Sequence, residues 1–257
     1  MRLVTITITI ALFMLSNTAL AFTYKAQKFQ SKEGRVSLIE LFTSEGCNSC
    51  PPAEHFINDL KNKSNIWKDF VPVAFHVDYW DYLGWKDIYA KPEYSLRQRY
   101  YASENREPTV YTPGMRAEGR EWRHWRRADL ESFSDVKRRE IGVLDVDIQS
   151  DGTFNASFQL SEQEGLKALG IRGEPYIVTV ALLGMEISTE VKRGENAGRT
   201  LDHDFIVLEA VDYEIKNGVW HGKLPTTKVS APRYAVAAWV SSNKSLIPIQ
   251  AVGGFLD

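Results

Sequence analysis

The feature that most constrains this chain is a cysteine pair set between a buried strand and a helix. Residues 36–42, VSLIELF, are an almost uninterrupted apolar run, the pattern of a strand covered on both faces. A turn through Gly46 leads to Cys47-Asn48-Ser49-Cys50 and then to Pro51 and Pro52. Proline is tolerated in a first helical turn, because the N–H it lacks has no intrahelical partner there. Phe56, Ile57 and Leu60 follow at helical spacing. A helix N-terminus presents unpaired N–H groups and positive dipole potential to a nearby sulfur. Cys-x-x-Cys motifs lower a cysteine pKa into the ~3.5–7.5 range, and the thiolate is the attacking species. The pattern assigns Cys47 as the exposed attacker and Cys50, one turn inside the helix, as the resolving thiol.

Rival readings of the pair remain. A static disulfide across a four-residue loop contributes only about 2 kcal/mol by chain entropy, against about 4.7 kcal/mol for a hundred-residue loop. A copper or zinc site could combine Cys47 and Cys50 with His76 or His55, but nothing in the spacing selects either histidine. The expectation is therefore no metal and no cofactor. Glu40, in the preceding strand, either lies partly buried and accepts the Cys50 proton or faces solvent at an edge. Thr112-Pro113 is the candidate cis peptide beside the sulfurs, since X-Pro bonds admit cis at low cost. Pro175 is its rival. His76, Asp78, Trp80 and Trp85 cluster after a second strand. They either line a peptide-gripping groove, with Thr112, or form a packed aromatic loop with charges outward.

The first residues set the compartment. Arg2, an apolar stretch over residues 3–15 and Ala19-Leu20-Ala21 have the form of a secretory signal peptide over residues 1–21. The expectation is an exported chain, periplasmic or secreted, where a disulfide can persist. Two cysteines are too few for a disulfide scaffold or a four-thiolate zinc site. A net charge of −2 gives no general reason to bind nucleic acid or an anionic membrane. Trp122-Arg123-His124-Trp125-Arg126-Arg127 interleaves aromatics with positive charge. The flanking acids Glu121, Asp129 and Glu131 make it a solvated helix approach instead. No later apolar run reaches 18 residues, so no membrane span is expected in the mature chain.

Of the 257 residues, 22–140 carry a net charge of +2 and 141–257 a net charge of −5. The patterning changes at the same place. The first part alternates strands and helices, in the order β-α-β-α-β-β-α. It has strands near 36–42 and 71–77, a helix over 92–105, a hairpin turned by Glu118-Gly119, and a helix marked by Leu130, Phe133, Val136 and Lys137. The second part reads as short strands. One hairpin turns at Asp151-Gly152 and another at Asn217-Gly218. Residues 205–215 read as a strand, though 205–210 also admit a helix. Residues 193–200, RGENAGRT, lack nucleotide-loop spacing and read as a turn, with Arg199 available for a carboxylate.

ELFTSEGCNSCPPAE (residues 40–54) resembles the signature of DUF1223, an exported thioredoxin-like family of uncharacterised function. FHVDYWDYLGWKD (75–87), QRY (98–100) with VYTP (110–113), and RGENAGRT (193–200) resemble its further blocks. Gly114 stands where a glutamine is usual, and Arg116-Ala117 replaces a more apolar pair, which predicts an irregular strand after Pro113. The resemblance implies a thioredoxin-like fold; with the leader and the change of pattern, the expected chain is α/β, with a signal peptide over 1–21, a thioredoxin-like domain over 22–140, and a β-rich portion over 141–257 packed against it. The resemblance implies no established activity. The leading reading is a thiol–disulfide oxidoreductase with Cys47, Cys50, Pro113 and Glu40 at its centre. It would act on a protein or peptide thiol or disulfide and be served by a redox partner protein. The alternatives are a binding protein with a static disulfide and a metal carrier.

Overall fold

The structure, a computed structural model, describes residues 25–128, 140–161, 175–214 and 218–256. The leader and the expected helix through Leu130, Phe133, Val136 and Lys137 lie outside these residues.

The protein is mixed α/β and strand-rich. Its frame is an eight-stranded sheet in the order β14-β13-β8-β11-β3-β2-β4-β5. The first half supplies β2 (Ser37–Thr43), β3 (Phe70–His76), β4 (Gly114–Ala117) and β5 (Arg120–Glu121). The second half supplies β8 (Tyr176–Met185), β11 (Ile206–Glu214), β13 (Arg233–Ser242) and β14 (Pro248–Phe255). Strand β11 joins the halves by running parallel to β3, with Ile206 beside Ala74. The halves on either side of residue 141 thus share a sheet. They also share a core, in which Leu41, Phe75 and Ile57 pack with Leu183, Phe205 and Trp239. Residues 206–210 are strand; the β-branched pair Ile206-Val207 suits the pleat better than a helix.

A second sheet, β1-β6-β7-β12, lies over the far part of the first. It comprises β1 (Gln27–Gln30), β6 (Gly142–Ile148), β7 (Thr153–Leu160) and β12 (Val219–Lys223). Leu144, Val146, Phe154 and Trp220 meet Val178, Val180 and Leu182 of β8, while Ala181 and Leu183 of the same strand face the first core. Burial on both faces explains why β8 reads as an apolar run rather than an alternation. Gly254 lets β1 approach, since a Cβ there would lie 2.1 Å from the Phe29 ring. The Asp151-Gly152 hairpin forms as the turn signal requires. The expected Asn217-Gly218 turn falls partly outside the described residues; the strands on either side pair elsewhere, β11 with β8 and β12 with β7.

Two helices flank the strands that carry the cysteines. Helix α1 (Pro51–Asp59) follows β2, and α2 (Pro92–Glu104) precedes β4. Both begin with proline and neither has a side-chain N-cap bond. The strand after Pro113 is regular: β4 pairs with β2 from Phe42–Gly114 to Ile39–Ala117. Arg116 is accommodated there because Glu107 pairs with it at 2.5 Å. Glu118 and Gly119, both at positive φ, close the β4–β5 turn. Among the described residues, no helix is long and apolar enough to cross a membrane.

Candidate functional site

Cys47 and Cys50 are disulfide-bonded, with Cα atoms 5.5 Å apart. Cys50 is the N-cap of α1, not a residue one turn inside it. Pro51 and Pro52 lack N–H groups, and the Ala53 and Glu54 N–H groups both donate to the Cys50 carbonyl, at 2.8 and 3.2 Å. The first turn therefore offers dipole potential but few free donors.

The expectation of an exposed Cys47 does not hold. Both cysteines are 0% exposed. The 193–200 segment, about 150 residues away in sequence, is bonded to the backbone around the pair. The Asn196 side-chain amide donates to the carbonyls of Glu45, at 2.8 Å, and Cys47, at 2.9 Å. The Asn48 N–H donates to Glu195 at 3.1 Å. Arg199 does not seek a carboxylate; it donates to the Asn196 side-chain oxygen at 3.0 Å, bracing the same segment. On another side, Trp80 lies against Gly46 and its indole N–H donates to the Thr112 hydroxyl at 2.7 Å. The Thr112–Pro113 peptide is cis.

Strand alternation sorts the polar residues around this core onto two faces. Glu40 and Phe42 point toward α2. Glu40 is wholly buried and accepts from Arg97 Nε at 2.9 Å and from the Tyr101 hydroxyl at 2.8 Å. Arg97 lies over the rings of Phe75, Tyr101 and Trp239 at 5.1–5.2 Å. Burial alone would lower the Arg97 pKa, but the Glu40 carboxylate outweighs it and the net shift is upward. Glu40 is thus neither solvent-facing nor turned to the α1 face. Its lone pairs are committed to Arg97 and Tyr101, which removes it as a proton acceptor for Cys50.

Thr43 and His76 are register partners on the opposite face, the one that α1 covers. Thr43 donates to Glu54 of α1 at 2.5 Å. Glu54 Oε2 lies 2.9 Å from His203 Nδ1. His76 Nδ1 lies 2.7 Å from Asp87, and the two imidazole rings meet at 5.2 Å. Glu45 completes the cluster, 3.3 Å from His203 Nε2 without hydrogen-bond alignment. All five side chains are at most 3% exposed. His203 ends β10 (Thr200–His203), which pairs with β9 (Ile187–Glu190). Asn58 and Lys61 anchor that end, holding Asp202, at 2.7 Å, and Asp204, at 2.6 Å.

Burial favours neutral imidazole, yet Glu54 and Glu45 draw the His203 pKa up to about 10. His76 is likewise raised, by Asp87 against the burial penalty. Burial would raise Glu54 and Asp87, but the adjacent histidines hold each below the usual carboxylate range.

Of the residues proposed to grip a substrate, His76 is sealed in this cluster and cannot touch one. Asp78, half-buried, accepts from Ser95 at 2.5 Å. Trp85 is half-buried and donates to Glu45 at 2.7 Å. Trp80 and Thr112 remain, joined by their hydrogen bond, with Trp80 against Gly46, the residue before Cys47. His55 is exposed on α1 and takes no part in the cluster. Sequence reading did not assign Glu45, Glu54, Asp87, Asn196 or His203 to the site. The signal available was positional: the first four lie inside the signature blocks at 40–54, 75–87 and 193–200, and His203 lies just beyond the last.

No curated protein matches the chain. Among solved structures, protein AGR_C_4864 from Agrobacterium tumefaciens is 24% identical, with a TM-score of 0.60 over 88% of this chain and 95% of that one. HBP35 of Porphyromonas gingivalis is 14% identical, with a TM-score of 0.54 over 87% of this chain and 76% of that one. At these identities the likeness is one of fold. The model of the family described as protein of unknown function DUF1223 matches residues 38–241, which take in the cysteine pair, the cis-proline, the buried histidines and the 193–200 segment, and the chain belongs to that family.

Proposed function

We propose that the protein is an exported thiol–disulfide oxidoreductase, thioredoxin-like in its first half, with Cys47 and Cys50 as the redox couple. The observation that carries this reading is the convergence on one disulfide of segments far apart in sequence. The strand–turn–helix holds the pair, Trp80 ties Thr112 to the turn before it, and residues 193–200 bind the backbone around it. A four-residue staple needs no such surroundings. The leader pattern over residues 1–21 supports export to the periplasm or beyond.

In the reduced form, the Cys47 thiolate attacks one sulfur of a protein or peptide disulfide and releases a substrate thiolate. The Cys50 thiolate then attacks Cys47 of the mixed disulfide and releases the second substrate thiol. Two electrons pass to the substrate, and the Cys47–Cys50 bond forms. A dithiol redox partner protein restores the reduced form; with a dithiol substrate, the same steps run in reverse. Because the sulfurs are buried, exchange requires the Asn196 segment to lift. Trp80 and Thr112 then border the substrate strand.

Complete burial of both sulfurs favours a second reading, a binding protein whose disulfide is static. Trapping separates the two. Cys50→Ser should accumulate Cys47-linked adducts with exported proteins, because nothing resolves them, and Cys47→Ser should trap almost none. Absence of adducts from Cys50→Ser, with that variant folded, would favour the static disulfide.

A further inference from the structure

Beneath the disulfide lies a chemistry that thiol exchange does not use. Glu54, His76 and His203 each offer a ligand atom, and these atoms lie within 4.8 Å of one another. All three side chains are buried. Among the described residues, His76 Nε2, His203 Nε2 and Glu45 Oε1 have no hydrogen-bond partner. His203 Nε2 and Glu45 Oε1 lie 3.3 Å apart as an ion pair, which leaves His76 Nε2 wholly unpartnered, a costly state in so buried a cluster unless something binds it.

The arrangement around them is that of a held ligand set. Asp87 grips His76 Nδ1 at 2.7 Å, which orients the ring and leaves Nε2 aimed into the pocket. Metal-bound imidazoles have this carboxylate partner on their far nitrogen. Thr43 holds one oxygen of Glu54 at 2.5 Å, again as an outer partner. Glu45 is fixed through its other oxygen by Trp85 at 2.7 Å. Its Oε1 lies 3.3 Å from His203 Nε2, placed as the outer carboxylate of that ring while Nδ1 faces Glu54.

We propose that this pocket is a divalent transition-metal site of the zinc class, with His76, His203 and Glu54 as protein ligands and Glu45 beside them. Two imidazoles with carboxylate suit Zn²⁺ better than Ca²⁺ or Mg²⁺, which take oxygen ligands. Copper(I) prefers thiolates, and the two cysteines are tied to each other. Zinc bonds of about 2.0–2.2 Å require the ligand atoms to close in slightly from their present spacing. The ion would take the place between Glu54 Oε2 and His203 Nδ1, now 2.9 Å apart. The cysteines are not ligands, so this differs from the cysteine-based carrier considered from sequence, and it stands whether or not the disulfide is redox-active.

The test uses the full-length chain stripped by a chelator and titrated with Zn²⁺ against a chromogenic competitor. The expected result is one Zn²⁺ per chain. Glu54→Gln and His203→Ala should each weaken binding at least tenfold, and His55→Ala should leave it unchanged. Nitrogen NMR of the wild-type histidines gives a reading that needs no variant: Zn²⁺ should shift the ring nitrogens of His76 and His203. No uptake by the wild type, or shifts confined to His55, His124 and His221, would overturn the proposal.

Discussion

Two buried charged clusters flank β2, and they are built to different ends. On the α2 face, Glu40, Arg97 and Tyr101 close on one another, with the guanidinium stacked among three rings. On the α1 face, Glu45, Glu54, His76, Asp87 and His203 gather just as tightly yet leave three polar atoms without a hydrogen bond, of which His76 Nε2 lacks an ion-pair partner too. The first cluster engages both oxygens of Glu40 in holding α2 to the sheet. The second keeps capacity in reserve. A satisfied network rigidifies a core, and an unsatisfied one in a native structure asks for an explanation in function.

The contrast is sharpest in stability. Arg97→Ala leaves the Glu40 carboxylate buried and uncompensated, and should cost about 3–5 kcal/mol in urea unfolding. Replacing Glu40 and Arg97 together by Met should recover most of that. His203→Ala likewise leaves Glu54 buried with one hydroxyl partner and should cost a similar amount, about 3–5 kcal/mol, in the metal-free protein. Added Zn²⁺ should stabilise the wild type and Arg97→Ala but not His203→Ala; no Zn²⁺ effect on any of them would mark the α1-face cluster as a structural network like its neighbour.

Asn196→Ala removes two hydrogen bonds over the cysteine pair. It should cost about 1–2 kcal/mol and should speed reduction of the disulfide by a small dithiol. An unchanged reduction rate would mean that the 193–200 segment does not control access. Trp80→Phe, which loses the bond to Thr112, should cost about 0.5–1.5 kcal/mol in the same unfolding assay.

The smallest effect at neutral pH belongs to the tyrosines. Burial pushes Tyr79 up to about 12 from its ordinary 10.0, against its bonds to Gln98 and Thr112. Burial likewise raises Tyr94 and Tyr101. Each folded-state value exceeds the unfolded one, so the unfolded chain sheds these protons first. Their contribution is complete below pH 10 and, for Tyr79, is lost as pH rises through about 12. Phenolate absorbance for these three should therefore appear together with loss of far-UV circular dichroism, not before it.

Local signals in the sequence were good guides. The VSLIELF run, the proline-led helix starts, the Glu118-Gly119 and Asp151-Gly152 turns and the cis Thr112–Pro113 all follow from chemistry within a few residues. Long-range facts were not legible. All seven residues of β2 are buried, so alternation gave no hint that Glu40 faces Arg97. The bond to the Cys47 carbonyl comes from Asn196, and His203 reaches Glu54 only because β10 returns across α1. Nor does composition reveal that β11 runs beside β3 and merges two differently patterned halves into one sheet.

The claim that Cys47 and Cys50 form a working couple is tested most directly by its reduction potential. The folded full-length chain is equilibrated in dithiol buffers of graded potential, then alkylated, and the free thiols are counted. The account predicts a reversible two-electron transition in the folded protein at a potential above about −300 mV. A pair that stays oxidised to more negative potentials, or opens only when the protein unfolds, would contradict it and mark the disulfide as a staple.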